Sequence, residues 1–440
     1  MTVDIVVIGS GPSALATVRT LTKSKLKMKI KVLDIENINQ ESNPVGLKTY
    51  FGSTSIYDQE ESKIHHSSMK PVVWPSSGRG GFSRIWGAVI SAENEELFQS
   101  SLKFGVDRSS SSFATNSAIK LKNHYQLAKN PTWELIDHRV AVDPKLCIRC
   151  GNCLTGCPTD AIWFAGNEWS KFSNVELVSN FRAQELEIID DKAIIKARSG
   201  AEITADWVFV GAGAIASIQI LMRSNLIPNS VNLNDTNAVF FPALRFPVRE
   251  NRESFSLSQL SAKLFQGGQT TGYVQFYPDS RKLLDPIIRH NPVLGKIFSK
   301  LWFAISPFLM SGILYLNKKD SEALTLTMLT KDSFEMRKNG NEKTLKNFLK
   351  KNKIINTLCK DFGIFPLFLA AKKGEPGESY HFGAVKEVLE FNARFENNPI
   401  RVVDGSALLA LAPGPITDKI MKNAELITKQ ALERIHEISD

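Results

Sequence analysis

Apolar positions change their period along this chain, and the changes divide it. Val3 to Ile8 is an apolar run of strand length, followed at once by Gly9-Ser10-Gly11-Pro12-Ser13-Ala14. Leu15, Val18 and Leu21 recur at helical spacing, and Ile30 to Leu33 makes a second strand-like run ending at Asp34. This predicts a strand, a glycine turn, a helix and a parallel strand. Asp206 to Gly213, DWVFVGAG, reads as another strand running into small residues, with a helical AIASIQILMRS behind it. From Asn232 to about Phe365 the pattern alternates and carries hairpin-like turns, as in TTGYVQFYP and SGILYLNKKDSEALTLTML, which predicts antiparallel strands. The end of the chain reads VVDGS at Val402 to Ser406, then Pro413-Gly414-Pro415, then a long amphipathic helix.

One apolar segment stands apart, Val293 to Leu316. Lys296, Lys300 and Pro307 interrupt it, whereas a spanning helix needs about twenty apolar residues with few charges. It reads as a buried helix followed by a strand, with a monotopic helix resting on a membrane surface as the alternative.

At 440 residues the chain is long for one core, so two intimately joined domains are expected. The pattern divides the chain into a strand-and-helix part at 1–231, an alternating antiparallel part at 232–365 and a closing part at 366–440 that ends in the long helix. Apolar residues at 43% and charged residues at 22% are ordinary for a globular protein and leave no disordered tract. The formal charge of +9 is spread over lysines on helix faces, around positions 25 and 350, without a basic recognition motif, so no nucleic-acid partner is expected.

The glycines after the first run carry a mechanism. Gly9 allows the tight turn, Gly11 lets backbone approach a pyrophosphate, and Ala14 lets helix and strand pack closely. The pyrophosphate would sit on the helix N-terminus, and Asp34 falls where an acid receives ribose hydroxyls. Strand, turn, helix and acid in that order predict dinucleotide binding without choosing between FAD and NAD.

Five cysteines include four within eleven residues, Cys147, Cys150, Cys153 and Cys157, with Pro158 behind them. The C-x2-C-x2-C-x3-C spacing folds a loop around a 4Fe–4S cluster, in a segment of about 143–165. Zinc sites favour two separated pairs, and disulfides belong to oxidising compartments. In two-cluster ferredoxins the fourth cysteine of such a run serves the other cluster, so the fourth ligand here is Cys157 or Cys359. With no signal-peptide core, a cytoplasmic location is expected, or a peripheral one at the inner membrane if 293–316 makes contact with lipid.

A second glycine turn, GRGGFSRIWGA from Gly78, together with GAGAIASIQILMRS from Gly211 and the late VVDGS, resembles the glucose–methanol–choline (GMC) family of FAD oxidoreductases. The resemblance covers both ends and Val175 to Ser224, and is faint between about 225 and 365. It implies an α/β fold, a Rossmann-type FAD domain plus an antiparallel-sheet substrate domain. It also implies FAD contacts at Gly80, Gly81, Ser83, Gly213, Asp404, Gly405, Pro415 and Ile416. Some GMC-like members carry a compact cysteine quartet, which favours Cys157 as the fourth ligand. His381 matches the family's base, able to accept a hydroxyl proton while hydride leaves for flavin N5. Where the family usually has a second histidine or asparagine this chain has Gly414, so Tyr380 or water is expected to assist. The implied reaction oxidises an alcohol, sugar or polyol to a carbonyl, with electrons leaving through the cluster to an external acceptor, a ferredoxin-like protein or a quinone. The rival readings are a reductase fed by ferredoxin, an electron-transfer subunit without its own substrate, and an oxidoreductase acting on a lipid-linked substrate.

Overall fold

The computed structural model describes residues 3–35, 63–66, 79–84, 86–98, 132–136, 138–153, 157–245, 256–258, 260–278, 308–339, 344–374, 382–394 and 398–439. Its first apolar run becomes the centre of a five-stranded parallel sheet. The strands are β1 (Val3–Ile8), β2 (Met28–Leu33), β7 (Val175–Val178), β11 (Trp207–Val210) and β22 (Ile400–Val402), in the order β22-β11-β1-β2-β7. Alternation within β1 sorts its side chains: Val3, Ile5 and Val7 enter one core, Val6 and Ile8 another. Both faces are covered, as parallel sheets require. Helix α1 (Pro12–Thr22) and the final helix α6 (Thr417–Ser439) cover the first face, where Met421, Ala424, Ala431 and Leu432 of α6 join Leu15, Val18 and Leu21. Helix α3 (Ala214–Arg223) and α5 (Lys386–Ala393) cover the second, together with the meander β8 (Ala183–Ile189), β9 (Lys192–Ala197) and β10 (Glu202–Ala205).

The alternating region builds two antiparallel layers. The larger runs β19 (Ile364–Pro366), β13 (Ala238–Arg245), β16 (Leu309–Leu316), β15 (Gln269–Pro278), β14 (Leu260–Gln266) and β5 (Trp133–Leu135), with β20 (Lys372–Lys373) on β13. One face, with Val239, Phe241, Ala262, Val274, Phe276 and Leu314, packs on α4 (Thr344–Asp361) through Ile355, Leu358 and Cys359. The smaller layer runs β21 (Phe382–Gly383), β12 (Ser230–Asp235), β17 (Ala323–Thr330), β18 (Ser333–Asn339) and β3 (Lys63–His66). A two-stranded ribbon, β4 (Val89–Ser91) with β6 (His138–Val140), leads into the cysteine segment, which ends at the short helix α2 (Ala165–Glu168).

The mixed α/β class with a parallel sheet and separate antiparallel sheets is the class expected. Two features depart from the linear reading. β3 and β5 come from the N-terminal half yet complete these layers, β5 antiparallel to β14 and β3 parallel to β18, because an edge strand needs only a partner and not a neighbour in sequence. α4 interrupts the strand-rich region, and one of its lysines, Lys351, is buried and bonded to Asp320 at 2.7 Å instead of solvated. Of Val293–Leu316, the last eight residues form β16, the strand expected at that end, while 293–307 lies outside the described residues. No helix among the described residues is long and apolar enough to cross a membrane.

Candidate functional site

The first glycine turn sits between β1 and α1. Gly9 has φ +100°, and a Cβ there would lie 2.5 Å from the carbonyl oxygen of Gly211, so both conformation and space demand glycine. At Gly11 the reason differs: a Cβ would meet nothing of the protein within 4 Å. Open space therefore lies over the N-terminus of α1, which has no side-chain cap and no acid in its first turn. Unpaired first-turn N–H groups and the helix dipole suit an anion there. Asp34 follows β2 and is buried, its backbone held by β7 through Asp34 N to Val178 O at 2.9 Å. The open helix N-terminus and the buried acid thus lie at the carboxyl ends of two neighbouring parallel strands, β1 and β2.

The second glycine turn lies directly over the first. A Cβ on Gly81 would stand 3.6 Å from Gly11 Cα, and Gly80 N donates to Ser10 Oγ at 2.9 Å. Ser83 donates to Gly80 O at 2.5 Å and accepts from Ala165 N at 3.0 Å, so its hydroxyl holds backbone on both sides. Trp169 Nε1 donates to Ser10 O at 2.9 Å. Beside them, buried Glu168 pairs with Arg19 of α1 at 2.5 Å and with Lys171 at 2.8 Å. The segment that follows the cysteines is thereby bonded to both glycine turns.

The cysteine loop is closed at its base. Val142 bridges Ile162, Asp143 N donates to Ala161 O at 2.7 Å, and Cys147 N donates to Asp143 O at 3.0 Å. Arg149, Gly151 and Asp160 take left-handed conformations that turn the loop tightly. Cys147, Cys153 and Cys157 pack against the first core. Burial raises the Cys153 thiol most, Ser256 hydrogen bonds lower it, and the neighbouring Cys147 and Cys157 charges raise it further. Among the described residues no three His, Cys, Asp or Glu side chains converge as a single ion requires. A cube is held at its corners by separate cysteine sulfurs, so the four partly buried cysteines of this loop suit a cluster by donor chemistry. Cys359 is elsewhere, fully buried on α4 in the third core, where desolvation drives its thiol far above its ordinary range.

The C-terminal return closes the site. Asp404 is buried and accepts from Ser406 N at 3.0 Å, Ser406 Oγ at 2.7 Å and the Ser217 hydroxyl, with the Gly213 backbone also bonded to it. Its carboxylate therefore ties the DGS turn to the start of α3. Tyr380 and His381 lie outside the described residues, but the residues that follow are stitched to that turn: Ala384 N donates to Gly405 O at 3.0 Å and Val385 N to Ser406 O at 2.9 Å. Pro415 and Ile416 lead into α6, whose first turn contains buried Asp418, accepting from Ser91 N and Asn94 Nδ2 at 3.0 Å each. Gly414 has φ +99°, and a Cβ there would be 2.7 Å from Cγ of Tyr273 on β15. Neither Asp418 nor Tyr273 was anticipated. An acid two residues into a helix was a readable signal for the first; nothing local marks the second.

A parallel sheet clothed on both faces, joined to an antiparallel sheet whose Tyr273 and Tyr277 reach Gly414 and Gly87, matches the GMC oxidoreductases in fold. The chain is similar in structure to pyridoxine 4-oxidase from Mesorbium loti, with a TM-score of 0.64 at 13% identity over 97% of this chain and 99% of that one. Residues 140–163 match the family described as the 4Fe-4S binding domain. No curated protein matches the sequence.

Proposed function

We propose that this protein is an FAD-dependent oxidoreductase acting on a CH–OH group, with a 4Fe–4S cluster held by Cys147, Cys150, Cys153 and Cys157 as the exit for electrons. One observation carries the reading: Ser10, Ser83, Ala165 and Trp169 bond the cysteine segment to both glycine turns, so the two cofactor sites share one framework. Bound FAD supplies a hydride acceptor and the cluster a one-electron relay to an external acceptor, a ferredoxin-like protein or a quinone. Gly9, Gly11 and the α1 N-terminus would hold the pyrophosphate, Asp34 the ribose, and Gly80 and Gly81 would lie along the flavin. Asp404 would keep the Gly405 turn in place, and His381 would accept the hydroxyl proton. The substrate class is an alcohol, with sugars and polyols favoured by the family; the similar structure is named for pyridoxine, itself an alcohol.

The test is anaerobic. Purified protein is assayed for FAD and iron, then exposed to a panel of alcohols, sugars and lipid-linked glycans while its visible absorbance is followed. Bleaching by one compound class identifies the substrate and direction together. A preparation that holds neither FAD nor iron after reconstitution would sink the proposal.

A further inference from the structure

We propose that the apolar tip at 365–369 and the lysines beside it dock this protein on the surface of an anionic lipid bilayer. Single exposed apolar side chains are ordinary on a protein surface, but clusters of them are not. Here Phe365 is 54% exposed, Leu367 40% and Leu369 107%, and no other stretch among the described residues exposes three large apolar side chains within five positions. The tip is built into the fold. Its strand β19 pairs with β13, Phe365 opposite Leu244, and Leu367 N donates to Pro242 O at 2.8 Å. The turn Phe368–Ala370 is closed by Ala370 N to Leu367 O at 3.0 Å and Ala371 N to Phe368 O at 3.1 Å. The Phe368 ring lies on Phe241 of the third core, 5.7 Å between centroids, so Leu367 and Leu369 flank an anchored residue and face out. Backbone paired in this way can enter a headgroup layer without leaving these polar groups unsatisfied.

The charge beside the tip identifies what covers it. Residues 343–373 contain eight lysines and one acid, Asp361, in a chain whose whole net charge is +9. Lys351 and Lys373 are bonded inward, to Asp320 and Glu322 at 2.7 Å each. Lys353 and Lys360 are exposed, two turns apart on the outer stripe of α4, and Lys360 stands in its last turn, just before β19. Lys372, also exposed, follows the tip on β20. Lys360 and Lys372 thus bracket the apolar side chains along the chain. Lysine is depleted in protein–protein interfaces, which argues against a protein partner. Its ammonium on a flexible arm suits anionic headgroups, while neighbouring apolar side chains enter the acyl boundary. One such signal gives marginal membrane binding, and two together give stable attachment. None of this uses the cofactor assignment.

Flotation of the purified holoprotein with lipid vesicles is the test. Vesicles of equimolar phosphatidylcholine and phosphatidylglycerol should carry the protein upward, and phosphatidylcholine alone should bind it at least about tenfold more weakly. Leu367→Ser combined with Leu369→Ser should weaken binding to the mixed vesicles at least about tenfold, with melting temperature, FAD and iron unchanged. Lys360→Gln combined with Lys372→Gln should weaken it about fivefold per lysine. Binding that is absent, indifferent to phosphatidylglycerol, or unaltered in either double variant overturns the proposal. Self-association in lipid-free buffer that the leucine variant abolishes would also overturn it, because the tip would then be a contact between copies. FAD and iron are assayed on the same preparation. A protein that floats without either would end the oxidoreductase reading alone, whereas one that holds both and ignores the vesicles would end this one alone.

Discussion

Gly9 and Gly11 are two residues apart and glycine for opposite reasons, which makes them a test pair. Gly9→Ala places a Cβ on the Gly211 carbonyl at positive φ, so it should lower stability by about 1–3 kcal/mol, read as a fall in melting temperature of the FAD-free protein. Gly11→Val should leave that temperature nearly unchanged, because the added atoms start in open space, and should abolish the yellow colour by filling the pyrophosphate's place. A Gly11→Val protein with stoichiometric FAD would show the site misassigned. Asp404 supplies a pH signature. Burial raises its carboxyl above the ordinary 3.8 in spite of the Ser217 and Ser406 hydrogen bonds. The folded state then binds the proton more tightly than the unfolded state. Its contribution is complete below the unfolded value and declines as pH rises through the folded one. Denaturation midpoints taken from pH 4 upward should show this decline in the wild type and its loss in Asp404→Asn. His381→Ala should slow flavin reduction by a factor of about 10² to 10⁴ while FAD and iron stay bound.

At the scale of elements, the join between α1 and the segment after the cysteines has the most consequence. Arg19 and Glu168 connect them through a nearly dry ion pair, with Glu168 side chain 4% exposed. Removing one partner of such a pair leaves a buried charge and costs about 3 kcal/mol. Glu168→Ala should therefore lower the melting temperature. Because the segment is also bonded to Ser10, the variant should lose FAD and iron together, measured by absorbance and iron assay. Loss of iron alone, with FAD at full occupancy, would show that the two sites are independent. The α1–α6 contact is built differently, from Ala424 and Ala431 with Thr428 Oγ1 3.2 Å from Thr17 Oγ1, so it depends on small residues letting helices approach.

For the whole molecule, the proposed function has the two cofactor sites divide the labour between hydride and single-electron chemistry. Cys150→Ser should lose the cluster and turnover with an external acceptor, yet still allow one round of flavin reduction by substrate. Cys359→Ser should keep full iron, since that thiol lies in the core between the large antiparallel sheet and α4, apart from the quartet. Iron loss in Cys359→Ser would move the fourth ligand there and contradict the arrangement of the cores. Normal acceptor turnover in Cys150→Ser would make the cluster a structural element.

Local sequence determined those parts whose physics is local. Val3–Ile8, the glycine turn and α1 are contiguous, so period and turn chemistry suffice to place strand, turn and helix in order. The cysteine quartet is equally self-contained, because eleven residues hold all four thiols. Other features arise only when distant segments meet. Tyr273 lies 141 positions before Gly414, and its ring explains that glycine only after β15 and the last loop are packed together. The short strands β3 and β5 carry too few residues for periodicity to register, and their partners are remote. Asp404 reads as part of a short DGS motif, but its bonds to Ser217 and Gly213 depend on α3 being brought to it by the parallel sheet. Contacts that cross the chain leave no local period, and so the tertiary structure alone decided them.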